Sequence, residues 1–475
     1  MPQDPFHFIG KALDAYVGRC VGRQGLGLIL RRMTAMIVNA GFTTTRIGVP
    51  EQNLASGTLR LTLVPGVIRR IRAADDQSER RWASAFPARP GDLLNLRDLE
   101  QGLDQLKRVP SQDATMEIVP GEIPGESDVV VTVKRSKSWR ISMSLDDSGS
   151  MSTGKRQFST NISYDDPLGL NDLFYLGFNQ DADRQKDVRA THGANLYYSV
   201  PWGNWTFAWQ TTEYNYHQRV AGTTQTFVSS GHSKTHEFKV QHLIGRDQAS
   251  KTTLQFRTYR RASNAFIDDT EILVQRRTVA AAELAVLHRH HFGDTQMDAS
   301  YARRIGVPWF NAQQDAAGRT AATPTYQYRI DVVDLALLAP FRLGDLPLRY
   351  SGAVHAQYSR EPLYLAETLS IGNRYTVRGY DGEQTLAAES GYYWRNDVEL
   401  PLGNTGQLLY VGLDRGRIFG PGAANLAGDH LSGVALGMRG SGYGVGYDFF
   451  VARALQHSAL PTRRPVTGFN LTYQF

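Results

Sequence analysis

The sequence predicts a mainly-β protein: a 16-stranded antiparallel transmembrane β-barrel over residues 137–475, preceded by two small α/β units, over 1–65 and 66–136. Three observations predict it. From residue 139 onward helical periodicity disappears, and apolar and polar residues alternate in runs near sixteen in number. The connections between those runs are short and long by turns. Ahead of them one order of elements, two helices and then two strands, occurs twice.

Composition bounds the reading. A chain of 475 residues is too long for one compact core. No run approaches the ~18 apolar residues a membrane helix needs. That excludes helical membrane proteins but not barrels, whose signal is thin and spread over many segments. The 45 Gly, 22 Tyr, 20 Phe and 7 Trp suit tight turns and aromatic girdles. Net charge is +6, from 52 basic and 46 acidic residues, a mixed surface that does not suggest nucleic acid. The single Cys20 excludes an internal disulfide framework and a cysteine-based zinc site. Residues 1–10 carry neither a basic start nor an apolar signal core, so if the protein works beyond the inner membrane the true N-terminus is expected to have been removed or misassigned.

In the first unit Leu26, Ile29, Met33, Ile37 and Ala40 recur at helical spacing, and Gly41 stops the helix. Short strands are expected at 46–50 and 57–64. The second unit repeats the pattern behind one more strand, at 67–73. A short helix is expected at 78–85. A longer one begins at the cap Asn95, with Leu96, Leu99, Leu103 and Leu106 on one face and Asp98 in its first turn. Strands follow at 115–119 and 128–134. The unit reads β-α-α-β-β, and the first unit is the same without its leading strand. A three-stranded sheet of this kind leaves an open edge that accepts strands from other chains.

In the barrel region, Trp205, Phe207 and Trp209 alternate with small or polar residues, and Phe469, Leu471, Tyr473 and Phe475 alternate to the end. Short connections are expected at 167–171, 201–203, 245–250, 292–294, 343–346, 403–406 and 440–441. Long ones are expected at 218–232, 304–325, 360–390, 419–429 and 454–467. Short turns on one rim and long loops on the other are the pattern of an outer-membrane barrel. Soluble sandwiches follow no two-rim rule and use shorter strands.

Along 392–400, Tyr392, Trp394, Val398 and Leu400 share one face, and Tyr393, Arg395, Asp397 and Glu399 the other. Just before it, in the longest loop, stand Val377, Arg378, Gly379 and Tyr380. Further on, Leu409, Val411 and Leu413 form an apolar face, so Gly412, Asp414 and Gly416 face the lumen. The glycines leave room for something to pack there. An arginine of the 360–390 loop could fold inward and meet Asp414 as a strong, geometrically specific pair; alternatively Asp414 lines a wet pore. The sequence leaves both open.

Residues 149–155 match the first part of a phosphate loop, but Arg156 stands where its Ser or Thr belongs, and the segment joins two strands rather than opening a helix. It reads as an extracellular hairpin. His288, His290 and His291 cluster near a short turn, where a solvated rim is expected over a metal site, since spacing places no third ligand. No catalytic residue, metal ligand or cofactor is assigned, because no signature of nucleophilic or zinc chemistry is present.

This combination of two β-α-α-β-β units, a 16-stranded barrel, V-R-G-Y in the sixth loop and G-L-D-R-G on the thirteenth strand resembles the two-partner secretion transporters of the ShlB/FhaC/HecB type. These are outer-membrane exporters of filamentous haemagglutinin, haemolysins and contact-dependent inhibition toxins. Residues 264–277 also resemble a stretch common in that family. The resemblance implies that the two units are periplasmic POTRA domains that bind the N-terminal secretion domain of a large exoprotein. It implies that Arg378 meets Asp414 within the barrel, and that the exoprotein crosses unfolded, without ATP, and folds outside. Outer-membrane lipids and the barrel assembly machinery are the other partners it implies. The family carries a signal peptide, a plug helix and a complete first POTRA domain, often with a second cysteine that would pair with Cys20. By that measure this chain reads as N-terminally truncated.

The alternatives are a barrel-protein insertase of the same superfamily, which usually has more POTRA units, and a porin or barrel enzyme, which lacks the periplasmic units or needs a Ser/His constellation not found here.

Overall fold

The computed structural model describes residues 4–475 apart from 54–56, 75–83, 184, 224, 456–459 and 464. The chain forms two compact units. One holds residues 1–138 with the segments 165–172 and 200–205; the other holds the rest.

The first unit begins with α1 (His7–Asp14) and α2 (Arg23–Asn39), followed by β1 (Arg46–Gly48) and β2 (Thr62–Val64). The apolar stripe of α2 buries Ile29, Met33 and Ile37 against Ile9 and Phe42. β1 and β2 pair antiparallel, Arg46 opposite Val64, and are shorter than their alternation suggests. Next come β3 (Val67–Ala73), α3 (Leu96–Lys107), β4 (Gln112–Pro120) and β5 (Glu126–Arg135). The Asn95 side chain accepts from the Arg97 amide at 2.9 Å, capping α3. Most of the helix expected over 78–85 lies outside the described residues. The sheet order is β3-β5-β4, with β5 parallel to β3 and antiparallel to β4. Its core is Ile68, Leu94, Leu99, Leu106, Ala114, Val129 and Val131.

The second unit is a closed barrel. Its strands are β6 (Trp139–Asp146), β7 (Gln157–Asp165), β8 (Leu173–Asp181), β9 (Arg189–Trp202), β10 (Trp205–Ala221), β11 (Thr226–Arg246) and β12 (Ser250–Ile267). A two-residue appendage, β13 (Thr270–Glu271), turns back on β12. β14 (Arg277–Phe292), β15 (Thr295–Gly306), β16 (Arg329–Leu343) and β17 (Leu346–Ser359) continue the wall. The long loop after β17 contains its own hairpin, β18 (Leu369–Ile371) and β19 (Leu386–Ala388). β20 (Ser390–Pro401), β21 (Leu408–Phe419), β22 (His430–Gly442), β23 (Val445–Ala454) and β24 (Val466–Gln474) complete the ring. β24 pairs with β6 from Asn470–Asp146 to Gln474–Ser142. Leaving aside the appendage and the loop hairpin, the described residues form sixteen wall strands in one antiparallel barrel.

No helix among the described residues is long and apolar enough to cross a membrane, which says nothing of the strands. Trp394, Val411 and Leu413 point outward and are about half exposed, as lipid-facing side chains are in a barrel without its bilayer. Two connections differ from expectation. The short turn expected at 440–441 lies inside β22, and the chain turns at Tyr443 and Gly444 instead. The long loop expected at 218–232 is mostly strand, since β10 runs to Ala221 and β11 starts at Thr226. Its Thr, Val and Phe residues carry the pleat beyond the wall, where the polar alternation looks like a loop.

Candidate functional site

Strand pairing builds the site. Asp397 of β20 lies opposite Gly412 of β21, and Asp414 of β21 lies opposite Gly433 of β22. Residues opposite each other share a face. The inner face here therefore presents two carboxylates beside two positions with no side chain. That space is filled by the 360–389 loop. Val377 and Tyr380 are buried with Ile371, Leu386, Ile418 and Leu431, and this apolar packing carries Arg378 to the wall.

Arg378 is 2% exposed. Its Nε donates to Asp414 Oδ2 at 2.6 Å and its Nη2 to Asp414 Oδ1 at 2.7 Å, a planar fork on one carboxylate. Its backbone amide donates to the same Oδ2 at 3.0 Å. Nη2 also donates to Asp397 Oδ1 at 2.6 Å. The second oxygen of Asp397 accepts from Arg439 Nη2 of β22 at 2.9 Å. Both guanidinium groups lie over the Tyr410 ring, Arg439 at 4.2 Å and Arg378 at 5.7 Å, and Tyr410 donates to Asp448 at 2.9 Å. Two cations thus alternate with two anions around one ring. Desolvating such charges costs several kcal/mol per ion, about, and only near-complete pairing offsets it.

Close approach depends on glycine. A Cβ on Gly412 would stand 2.2 Å from Arg378 Nη2, and one on Gly433 would stand 1.6 Å from the Arg378 carbonyl oxygen. Gly379 has φ +101°, and a Cβ there would meet the Arg453 backbone at 2.5 Å. At Gly416 a Cβ would crowd Val377 at 2.9 Å.

The structure thus brings together Val377, Arg378, Gly379, Tyr380, Gly412, Asp414 and Gly416. Sequence reading missed Asp397 and Arg439 as members of the cluster. Asp397 was visible on the charged face of its strand, but its partner was not. Elsewhere, Arg374 Nη1 of the same loop pairs with Asp147 Oδ1 at 2.6 Å. The 149–155 turn joins β6 to β7, and its Met151 amide donates to the Glu383 carboxylate at 3.0 Å. His288 meets Thr252 Oγ1 at 2.9 Å, and His290 packs on Phe292 at 4.1 Å between ring centres. Among the described residues no His, Cys, Asp and Glu group is placed to hold a metal ion.

A closed sixteen-stranded barrel, preceded in the chain by two small α/β units and carrying a loop fixed to its inner wall by Arg378, is the architecture of an outer-membrane transport barrel. The profile of the family "Haemolysin secretion/activation protein ShlB/FhaC/HecB" matches residues 125–440. POTRA profiles match 67–120 and, in the ShlB-type form, 5–66. The chain is 42% identical over 480 residues to "Outer membrane transporter CdiB-2" of Burkholderia pseudomallei, covering 100% of this chain and 82% of the relative. It is 28% identical to "Hemolysin transporter protein ShlB" of Serratia marcescens, over 90% of this chain and 75% of the relative. The solved structure of CdiB from Escherichia coli superposes with TM-score 0.91 at 25% identity, over 99% of this chain and 88% of that one. The chain therefore belongs to the haemolysin secretion/activation family, and its barrel is an outer-membrane transporter; its relatives are transporters rather than enzymes.

Proposed function

We propose that the protein exports one large secreted exoprotein, an adhesin, haemolysin or contact-dependent inhibition toxin, which crosses the barrel unfolded and folds outside. The observation that carries this reading is the 360–389 loop, held in the lumen by Arg378 on Asp414 and Asp397. A plug attached by compact ionic contacts is a two-position element: held, it blocks; released, it leaves a path. Arg378 and Asp414 set its resting position, with Val377, Gly379, Tyr380, Gly412 and Gly416 providing the fit. Folding of the cargo outside supplies directionality, so no nucleotide and no catalytic step are invoked.

The POTRA units bind the N-terminal secretion domain of the exoprotein in the periplasm. In the second unit β5 is central, and among the described residues no strand covers the outer edge of β4. The edge of β3 is partly occupied at its start by a bridge from Val67 to Leu93. Added main-chain hydrogen bonds along β4 would supply binding with little sequence demand. The apolar outer band of the barrel meets outer-membrane lipid, and its insertion falls to the barrel assembly machinery.

Co-expression with the exoprotein, followed by assay of the medium, tests the reading. Export that requires the intact chain and falls with Arg378→Ala at equal barrel levels supports it. Undiminished export by Arg378→Ala removes the proposed role of the loop, and no export from a folded wild-type barrel removes the reading itself.

A further inference from the structure

The 360–389 loop touches a second sector of the wall, separated from the Arg378 site by β17. There Glu283 of β14 stands opposite Arg257 of β12 and Arg304 of β15, all on the inner face. Its carboxylate accepts from Arg257 Nη2 at 2.7 Å and from Arg304 Nε at 2.9 Å. Beside these charges the same face carries small residues, Ala281, Ala285 and Ala302, and Leu363 of the loop packs with them against Tyr259, Tyr328 and Ile330. Alanines here, like the glycines of β21 and β22, make room for the loop.

Into this sector the loop extends a buried carboxylate. Glu367 ends the short 3-10 turn Leu365–Glu367, and its side chain is 4% exposed. Tyr259 Oη donates to Glu367 Oε2 at 3.2 Å and lies 3.0 Å from Tyr328 Oη. The Arg261 guanidinium pairs with Glu367 Oε1, and Arg304 Nη1 lies 3.9 Å from Oε2. The Glu367 carbonyl accepts from Gln357 Nε2 at 2.9 Å. A buried carboxylate held by one arginine, approached by a second and bonded by a tyrosine is costly to remove, since it leaves the half-buried Arg261 without this partner.

We propose that Glu367 is a second positioning residue of the loop, a latch on the β12–β16 sector that holds the base of the loop as Arg378 holds its tip. The sign of charge is reversed between the two. At the tip a loop cation meets wall anions; at the base a loop anion meets wall cations. Clearing the lumen then requires both to release. Loss of either alone leaves the loop tethered but raises the population of open states. The inference rests on the loop being the element that blocks the lumen.

The test is single-channel recording of the purified full chain in planar bilayers, without exoprotein, using heat-modifiable migration to confirm a folded barrel. Glu367→Ala and Arg261→Ala should each raise opening frequency on the order of tenfold, as a shift of a two-state equilibrium does. Glu367→Gln, which keeps a Tyr259 contact but no charge, should fall between wild type and Glu367→Ala. Adding Arg378→Ala to Glu367→Ala should open the channel beyond either single variant. A cluster that merely stabilises the wall would lower the folded yield or melting point and leave opening frequency unchanged, and that result overturns the latch. Failure of both Glu367→Ala and Arg261→Ala to fold assigns the cluster to barrel assembly and also overturns it. Because no cargo is present, these recordings judge the latch even if wild-type export fails, which would remove only the functional reading above.

Discussion

Gly412 lies directly beneath the Arg378 guanidinium: a Cβ at this position would stand 2.2 Å from Nη2 and 2.6 Å from Asp397 Oδ1. No real side chain tolerates such contacts, so either the arginine or the strand must shift. Gly412→Ala should displace Arg378 without touching a charged group. The expected outcome is a folded barrel with raised passive permeability, seen as increased uptake of large antibiotics by cells expressing it. Wild-type permeability would mean that the guanidinium is not what holds the loop.

Arg378→Lys keeps the charge but should not rescue. An ammonium is a point donor that cannot span both oxygens of Asp414 while reaching Asp397. Arg378→Ala leaves the buried Asp414 without its guanidinium partner and Asp397 with only its Arg439 hydrogen bond, and breaking a buried pair in this way costs about 3–5 kcal/mol. Export by Arg378→Lys is expected to lie nearer the alanine variant than wild type, measured as exoprotein in the medium at matched barrel levels.

Asp397→Asn tests the member that sequence reading did not pair. Its carboxylate links Arg378 Nη2 at 2.6 Å to Arg439 Nη2 at 2.9 Å. A neutral amide cannot serve both cations as acceptor. The variant should raise channel opening frequency, but less than Arg378→Ala, because the fork on Asp414 remains.

In the second POTRA unit, Asp128 accepts from Arg69 Nε at 2.7 Å and from Arg70 Nε at 2.9 Å. The Arg69 hydrogen bond, chiefly, holds its carboxyl below the usual carboxylate range. A depressed folded pKa means that the stabilisation is present above the unfolded value of about 3.9 and lost as pH falls through the folded one. Hydrogen exchange of β5 in the full chain should show weaker protection in Asp128→Asn at neutral pH. The gap from wild type should narrow as the solution is acidified. Equal protection at neutral pH would refute the contribution.

Leu99 is fully buried between α3 and the sheet. Leu99→Ala should destabilise this unit by about 2–5 kcal/mol, the range for deleting a buried leucine side chain. Proteolysis of the full chain should then cut within 67–135 while the barrel stays heat-modifiable, and export should fall through loss of cargo binding rather than loss of the pore.

Much of the fold was legible because its signals are local. Alternation along 407–418 placed Asp414, Gly412 and Gly416 on one face, and β21 presents them so. Helical spacing and Asn95 located the start of α3 to the residue. The two-rim pattern announced a barrel; it missed at 218–232, where the strands continue with the same polar alternation a loop has, and at 440–441, where the turn falls at 443–444 instead.

Pleat and helical repeat are properties of neighbouring residues, so the sequence alone determined the element types, the faces of the strands and the candidacy of Arg378 and Asp414. It left open whether the loop folds inward. The tertiary structure decided that, and it added Asp397 and Arg439 to the tip and Tyr259, Arg261 and Arg304 to Glu367 at the base. Such partners stand tens to more than a hundred residues apart, and only strand register and the path of the loop, which depend on the whole closed barrel, bring them within hydrogen-bond range.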